Sequence, residues 1–429
     1  MRASELRMIL GGRDFRRLYA TRVTSQLTDG LFQVALAGYV FFSPERQTSA
    51  GKAAAAFAIT LLPYSVLGPF AGVLIDRWKR RQILVWAPVV RAVLVALVAA
   101  LVAAGQDGVV FFVGVLVVLG VNRFFLAALS AALPHVVTRE QLVTANAFSV
   151  TSGTVIAFVG GGIGYLLRNV FGGGNSGTAL ILVCAAGLFL LAGLVATSLP
   201  RGVLGPHLDE ALPQTREALG NVLRGLADGG RHIVRRRPAA LGLAAISYHR
   251  FLYGVILIMT LLLCRSHFAE DADEGLATFA LMLGISGAGF FAAALITPLV
   301  VRRISKQAWI AALLAAGAVS LLVLATPFNE PLWAAGGFAL GVVSQGVKLC
   351  VDTILQEGID DVYRGRVFAV YDMLFNATFA ASAAVAAALL PADGVSYPAL
   401  GIVIAAYAIG AALYWGAVSR TRAEPTPVT

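Results

Sequence analysis

Six ionisable side chains stand inside stretches otherwise built of apolar residues: Asp29, Arg123, His249, Arg250, Lys348 and Asp352. A charge at the centre of a bilayer costs at least about 2.5–3.5 kcal/mol, so such a residue usually faces a bundle interior or a wet path and carries function. Lys348 and Asp352 are four apart, the spacing at which two side chains meet on one helix face. They form either a working charge pair or a purely structural one. Asp29 is the preferred proton carrier, with Arg123 as the cation that would hold and release its carboxylate. The alternative is a packing aspartate hydrogen-bonded to Ser25 or Thr28. His249 is of the one side-chain type that changes charge near neutrality when unperturbed, and it suits a proton relay. Arg22, Arg91 and Asp372 fall nearer the inner ends of their stretches, where snorkelling or latch contacts explain them. No nucleotide loop, HExxH motif or pair of carboxylates at a helix end occurs, so neither a catalytic residue nor a cofactor is expected. Cys184, Cys264 and Cys350 form no CxxC pair, which predicts free thiols and no metal site.

The elements that position these residues follow from composition. The chain is 58% hydrophobic, with 13% charged residues and a mean hydropathy of +0.80. A soluble domain carries about 25% charged residues, so a lipid solvent is indicated. Crossing the hydrocarbon core takes about 20 apolar residues. Runs of that size fall at 18–42, 53–75, 82–104, 109–133, 144–167, 177–198, 239–264, 276–301, 307–326, 332–356, 366–390 and 396–418. The fifth is diluted by Asn146, Ser149, Thr151 and Ser152. The Arg-rich start, followed by so long an apolar run, does not read as a cleaved signal peptide.

Charge between the runs tests this map. With an inside N-terminus, inner segments hold 24 of the 33 Lys and Arg, and outer loops hold four. That asymmetry places both termini on the cytoplasmic side, and the alternation favours twelve spans over eleven. It also accounts for the net charge of +10 without invoking nucleic acid. The longest polar stretch divides the chain into a six-helix bundle at 1–199, a central loop at 200–238 and a second six-helix bundle at 239–429. Within the loop, Leu219, Val222, Leu223 and Leu226 recur at helical spacing. They predict an amphipathic helix on the inner surface, with Arg235, Arg236 and Arg237 near anionic lipid headgroups. The basic loops at Arg77–Arg81 and Arg139 recur about 225 residues later as Arg302, Arg303, Lys306 and as Arg364, Arg366, which suggests a duplicated unit.

The loop Gly72–Leu84 reads GVLIDRWKRRQIL and resembles the signature that major facilitator transporters carry between their second and third helices. Arg13–Ala37, Leu133–Phe148 and Tyr363–Asn376 look like the branch of siderophore exporters and macrolide-type efflux carriers. The resemblance covers nearly the whole chain. It implies an all-α polytopic membrane protein with twelve transmembrane helices in two six-helix pseudo-repeats, placed in a bacterial cell membrane and acting as a monomer.

The resemblance also implies roles. Gly72 would allow close helix approach, and Asp76 would meet the start of the eleventh helix. Arg77, Arg80 and Arg81, with Asp372, would join an inner-face latch. Helices 1, 4, 7 and 10 would line the central cavity, and the six buried charges fall on those four. Gly160, Gly161, Gly162 and Gly164 stand where antiporters of this kind have a Gly-Pro pair; here they would serve tight helix packing. The expected function is proton-coupled efflux, by antiport, of an amphipathic small molecule. The alternative is a lipid or dedicated metabolite carrier that is not proton-coupled. Three permanent cations against two carboxylates suit an anionic or zwitterionic cargo.

Overall fold

The computed structural model of the chain describes residues 8–42, 78–200, 202, 204 and 215–423, and every regular element among them is a helix. The helices are α1 (Arg13–Phe41), α2 (Arg80–Ala103), α3 (Val109–Ala132), α4 (Arg139–Phe171), α5 (Asn175–Thr197), α6 (Thr215–Arg235), α7 (Arg237–Ser266), α8 (Ala272–Val300), α9 (Lys306–Ser320), α10 (Glu330–Gly358), α11 (Asp361–Leu389) and α12 (Tyr397–Ala423). The second predicted span, 53–75, lies outside the described residues, as do Gly72, Asp76 and Arg77. The remaining eleven spans are all helices.

Ten of the described helices are long and apolar enough to cross a membrane. A bilayer selects this architecture because it offers no water to unpaired backbone groups, and a helix satisfies those groups within itself. The polar residues of α1 follow the same rule. Thr21, Thr24 and Thr28 each donate to the carbonyl four residues earlier, at 2.9, 2.9 and 2.8 Å. Where helices begin, side chains take up the free backbone donors. Thr138 and Gln141 form a reciprocal capping box on α4, and Ser305 and Asn329 cap α9 and α10. The carboxylate of Asp271 accepts from the Asp273 and Glu274 amides at the start of α8. The acidic stretch Glu270–Glu274 is therefore in part a helix cap.

The described residues divide into two compact units, the first ending at Val222 and the second beginning at Leu223. The division falls inside α6, within the predicted central segment. In the first unit α1 packs on α4 and α5, and α2 packs on α3 and α5. In the second, α7 packs on α11 and α12, and α9 packs on α10 and α12. Counted as predicted spans, the pairs 1–5, 1–6, 3–4 and 3–6 recur as 7–11, 7–12, 9–10 and 9–12. The second unit thus repeats the helix pairing of the first.

Candidate functional site

In the first unit, the polar centre is built where α1, α2, α3 and α5 converge. Gly30 makes the approach possible: a Cβ there would fall on the Ala157 carbonyl of α4, and one at Gly160 would fall on the Leu27 carbonyl. With α1 pressed onto α4 on one side, Asp29 and Ser25, one turn apart, are buried against the opposite neighbours. Arg91, midway along α2 and 0% exposed, makes an ion pair with Asp29 through Nη2. Its Nη1 donates to Asn122 Oδ1 of α3 at 3.0 Å and to Ser25 Oγ at 3.4 Å. The Phe189 ring of α5 lies 3.9 Å from the guanidinium carbon. A buried charge pair repays its desolvation only when its remaining donors and acceptors are also engaged; four helices contribute to that here, and of the three guanidinium nitrogens Nε alone has no partner.

This centre corrects two sequence expectations. Arg91 does not snorkel, since it is fully enclosed. The cation that meets Asp29 is Arg91 rather than Arg123, which lies half-buried on α3. Arg91 and Asn122 are the residues sequence reasoning missed. One signal was available: Arg91 falls about midway along its apolar run, roughly 15 Å from either end at 1.5 Å per residue.

The corresponding junction of the second unit, α7 with α9 and α12, is polar but uncharged. His249 is 1% exposed, and Tyr407 of α12 lies 3.0 Å from its Nδ1. Where Arg91 enters from α2, α9 offers Gly317, whose Cβ position is 3.1 Å from the Tyr407 ring. His249 is thus placed in helix packing, held with Tyr248, which donates to the Ala406 carbonyl at 2.7 Å.

A second charged cluster lies on α7, α10 and α11. Lys348 and Asp352 pair at 2.6 Å with side chains 38% and 22% exposed. The Tyr371 ring centre is 5.7 Å from the Lys348 ammonium. Arg250 stacks on Phe379 and Phe375, at 3.9 and 4.3 Å from its guanidinium carbon to the ring centres. The structure therefore gathers Arg250, Lys348 and Asp352 on one unit and places Asp29 and Arg123 on the other.

Two described members of the expected latch, Arg80 and Arg81, hold carbonyls of their own unit. Arg81 donates to the Leu199 and Thr197 carbonyls at 2.7 and 2.8 Å, closing the end of α5. Arg80 reaches the Leu204 carbonyl at 3.1 Å. Asp372 is exposed. Of the glycines, Gly160, Gly161 and Gly164 face α1, while Gly162 faces open space with nothing within 4 Å, and so is not a packing position. A cluster joining the end of α6 to the starts of α7 and α11 was not foreseen. Arg236 donates to Asp360 at 2.8 Å and to the Gly358 carbonyl at 3.2 Å. His232 of α6 lies 3.7 Å from the same carboxylate and stacks on Tyr363. Arg236 is thus held by protein contacts.

Comparison with known proteins agrees with this architecture. The family model of the Major Facilitator Superfamily matches residues 19–383. An "uncharacterized MFS-type transporter" of Mycobacterium tuberculosis is 42% identical over 381 residues, 89% of this chain and 86% of that protein. Macrolide efflux protein A of Streptococcus pyogenes is 29% identical over 161 residues, covering 37% of this chain and 38% of its own. Among solved structures, nucleoside transporter NupG shares the fold with a TM-score of 0.67 at 14% identity, over 94% of this chain and 98% of that one. Since the family match runs from α1 into α11 and so spans both repeated units, the chain belongs to the major facilitator superfamily and is a multi-pass membrane transporter.

Proposed function

We propose that this transporter exports an amphipathic small molecule in exchange for protons, by alternating access, in the bacterial cell membrane with both termini in the cytoplasm. The Asp29–Arg91 pair carries this reading. A carboxylate enclosed among membrane helices can take up a proton, and protonation would dissolve the pair. Arg91 would then keep Asn122, Ser25 and the Phe189 face as partners. The junction therefore has two states. In one, an ion pair ties Arg91 of α2 to Asp29 of α1; in the other, Arg91 is held by hydrogen bonds to α1 and α3 and by the α5 ring. A proton that chooses between two packings is what couples a gradient to alternating access. The partial likeness to a macrolide efflux protein supports the outward direction.

The test is accumulation of a compound panel in an efflux-deficient bacterium expressing wild type or Asp29→Asn, with and without a protonophore. Lower accumulation in wild type, abolished by Asp29→Asn and by the protonophore, is expected. Export that persists in both conditions would overturn the coupling.

The second reading, a lipid or dedicated metabolite carrier without proton coupling, is favoured by one observation. The run Gly160–Gly164 carries no proline where antiporters of this fold have a Gly-Pro pair, and in the structure Gly160, Gly161 and Gly164 of it serve close contact with α1. Cargo flux unaffected by collapse of the proton gradient would select it.

A further inference from the structure

Arg250 stands near the middle of α7, thirty residues long. It differs from Arg91 in one respect that matters: no carboxylate meets it among the described residues. Its guanidinium is flanked by the rings of Phe379, Phe375 and, at 5.8 Å, Tyr253. Its Nε is buried and bonded to nothing, as the Nε of Arg91 also is. Beside it in the second unit, Asp352 Oδ1 and the Tyr371 hydroxyl are buried next to each other. The one carboxylate among these groups, Asp352, is committed to Lys348 through its other oxygen. Two cations therefore share one anion.

Stacked rings stabilise a guanidinium but do not neutralise it. An arginine held in a membrane helix without a counter-ion leaves a desolvated charge uncompensated, and an anion supplied from outside the chain completes the set. We propose that Arg250 is the headgroup-recognition residue for an amphipathic anion: a carboxylate or phosphate ester whose apolar body lies along Phe375, Phe379 and Tyr253. The guanidinium presents its donors as a planar fork that matches the two oxygens of such a head. Tyr371 donates a further hydrogen bond, and Lys348, part-exposed, supplies a second positive charge. The proposal deepens the transport reading by naming the class of its cargo, and as a statement about cargo it rests on that reading.

The test uses the full chain in phosphatidylcholine nanodiscs, with energy transfer from protein tryptophan to 11-(dansylamino)undecanoic acid and to its uncharged primary amide. Wild type is expected to bind the acid at least about tenfold tighter than the amide, the size of one charge-assisted contact. Arg250→Gln is expected to lose that preference with amide binding unchanged. Equal binding of acid and amide to wild type, or an acid preference that survives Arg250→Gln, overturns the site. Should Arg250→Gln not fold, Phe375→Glu places an internal carboxylate against the guanidinium; it must abolish the acid preference, and an unaltered preference overturns the proposal equally. Phosphatidylglycerol added to the nanodiscs identifies the source of the anion. Weakened acid binding to wild type means a lipid headgroup takes the site, and unchanged binding means a soluble anion does. Because the assay reads binding alone, a kept acid preference in a chain that moves no cargo would sink the transport reading and leave the site. A lost preference in an active exporter would do the reverse.

Discussion

Arg91 and Asp29 show what a charge inside a membrane protein requires. Each is stable only because the other is present, so removing one strands the other in a medium that cannot solvate it. Asp29→Leu is expected to lower stability by about 3–5 kcal/mol. The double variant Asp29→Leu, Arg91→Leu should lose much less, because no unpaired charge remains. Thermal unfolding of the purified proteins in detergent checks both, and a double variant as unstable as the single one would remove the electrostatic explanation. The neutral junction of the second unit makes a milder case. Tyr407→Phe leaves His249 Nδ1 without its 3.0 Å partner and is expected to cost about 1–3 kcal/mol, read in the same melting experiment.

At the scale of elements, the contact of α1 with α4 depends on glycines that admit backbone against backbone. Gly160 and Gly162 differ by two residues and by half a turn, so they face different surroundings. Gly160→Leu would drive a side chain into the Leu27 carbonyl and is expected to prevent recovery of folded protein. Gly162→Leu, pointing into open space, is expected to express and melt as wild type does. Size-exclusion profiles of the two decide it. The sequence marked the glycine cluster but not which members pack, because facing is set by the rotation of α4 against its neighbour. Where α6 ends, in the second unit, Asp360 does not cap its own helix but accepts from Arg236 of the segment leading into α7. Asp360→Asn is expected to loosen α6, seen as faster amide exchange over Thr215–Arg235 with the membrane helices unchanged.

At the scale of the molecule, charge between spans predicts orientation through the positive-inside bias. Glu270→Cys, in a predicted outer loop, is expected to react in intact cells with a membrane-impermeant maleimide. Arg303→Cys, in a predicted inner loop, is expected to react only after the cells are opened. The reverse pattern would invert the topology. What the sequence determined by itself was one-dimensional: the length and spacing of apolar runs, the side on which Arg and Lys collect, the duplication, and the residues whose charge had to be excused. These were legible because hydrophobic length and charge bias act locally along the chain. The tertiary structure alone decided who excuses whom. Asp29 finds its cation 62 residues away on α2, Arg250 finds rings and, among the described residues, no anion, and His249 finds a tyrosine on α12. Partners at such separations are chosen by how four helices rotate and close on one another, and that choice is made by the packing of the small and apolar residues between them.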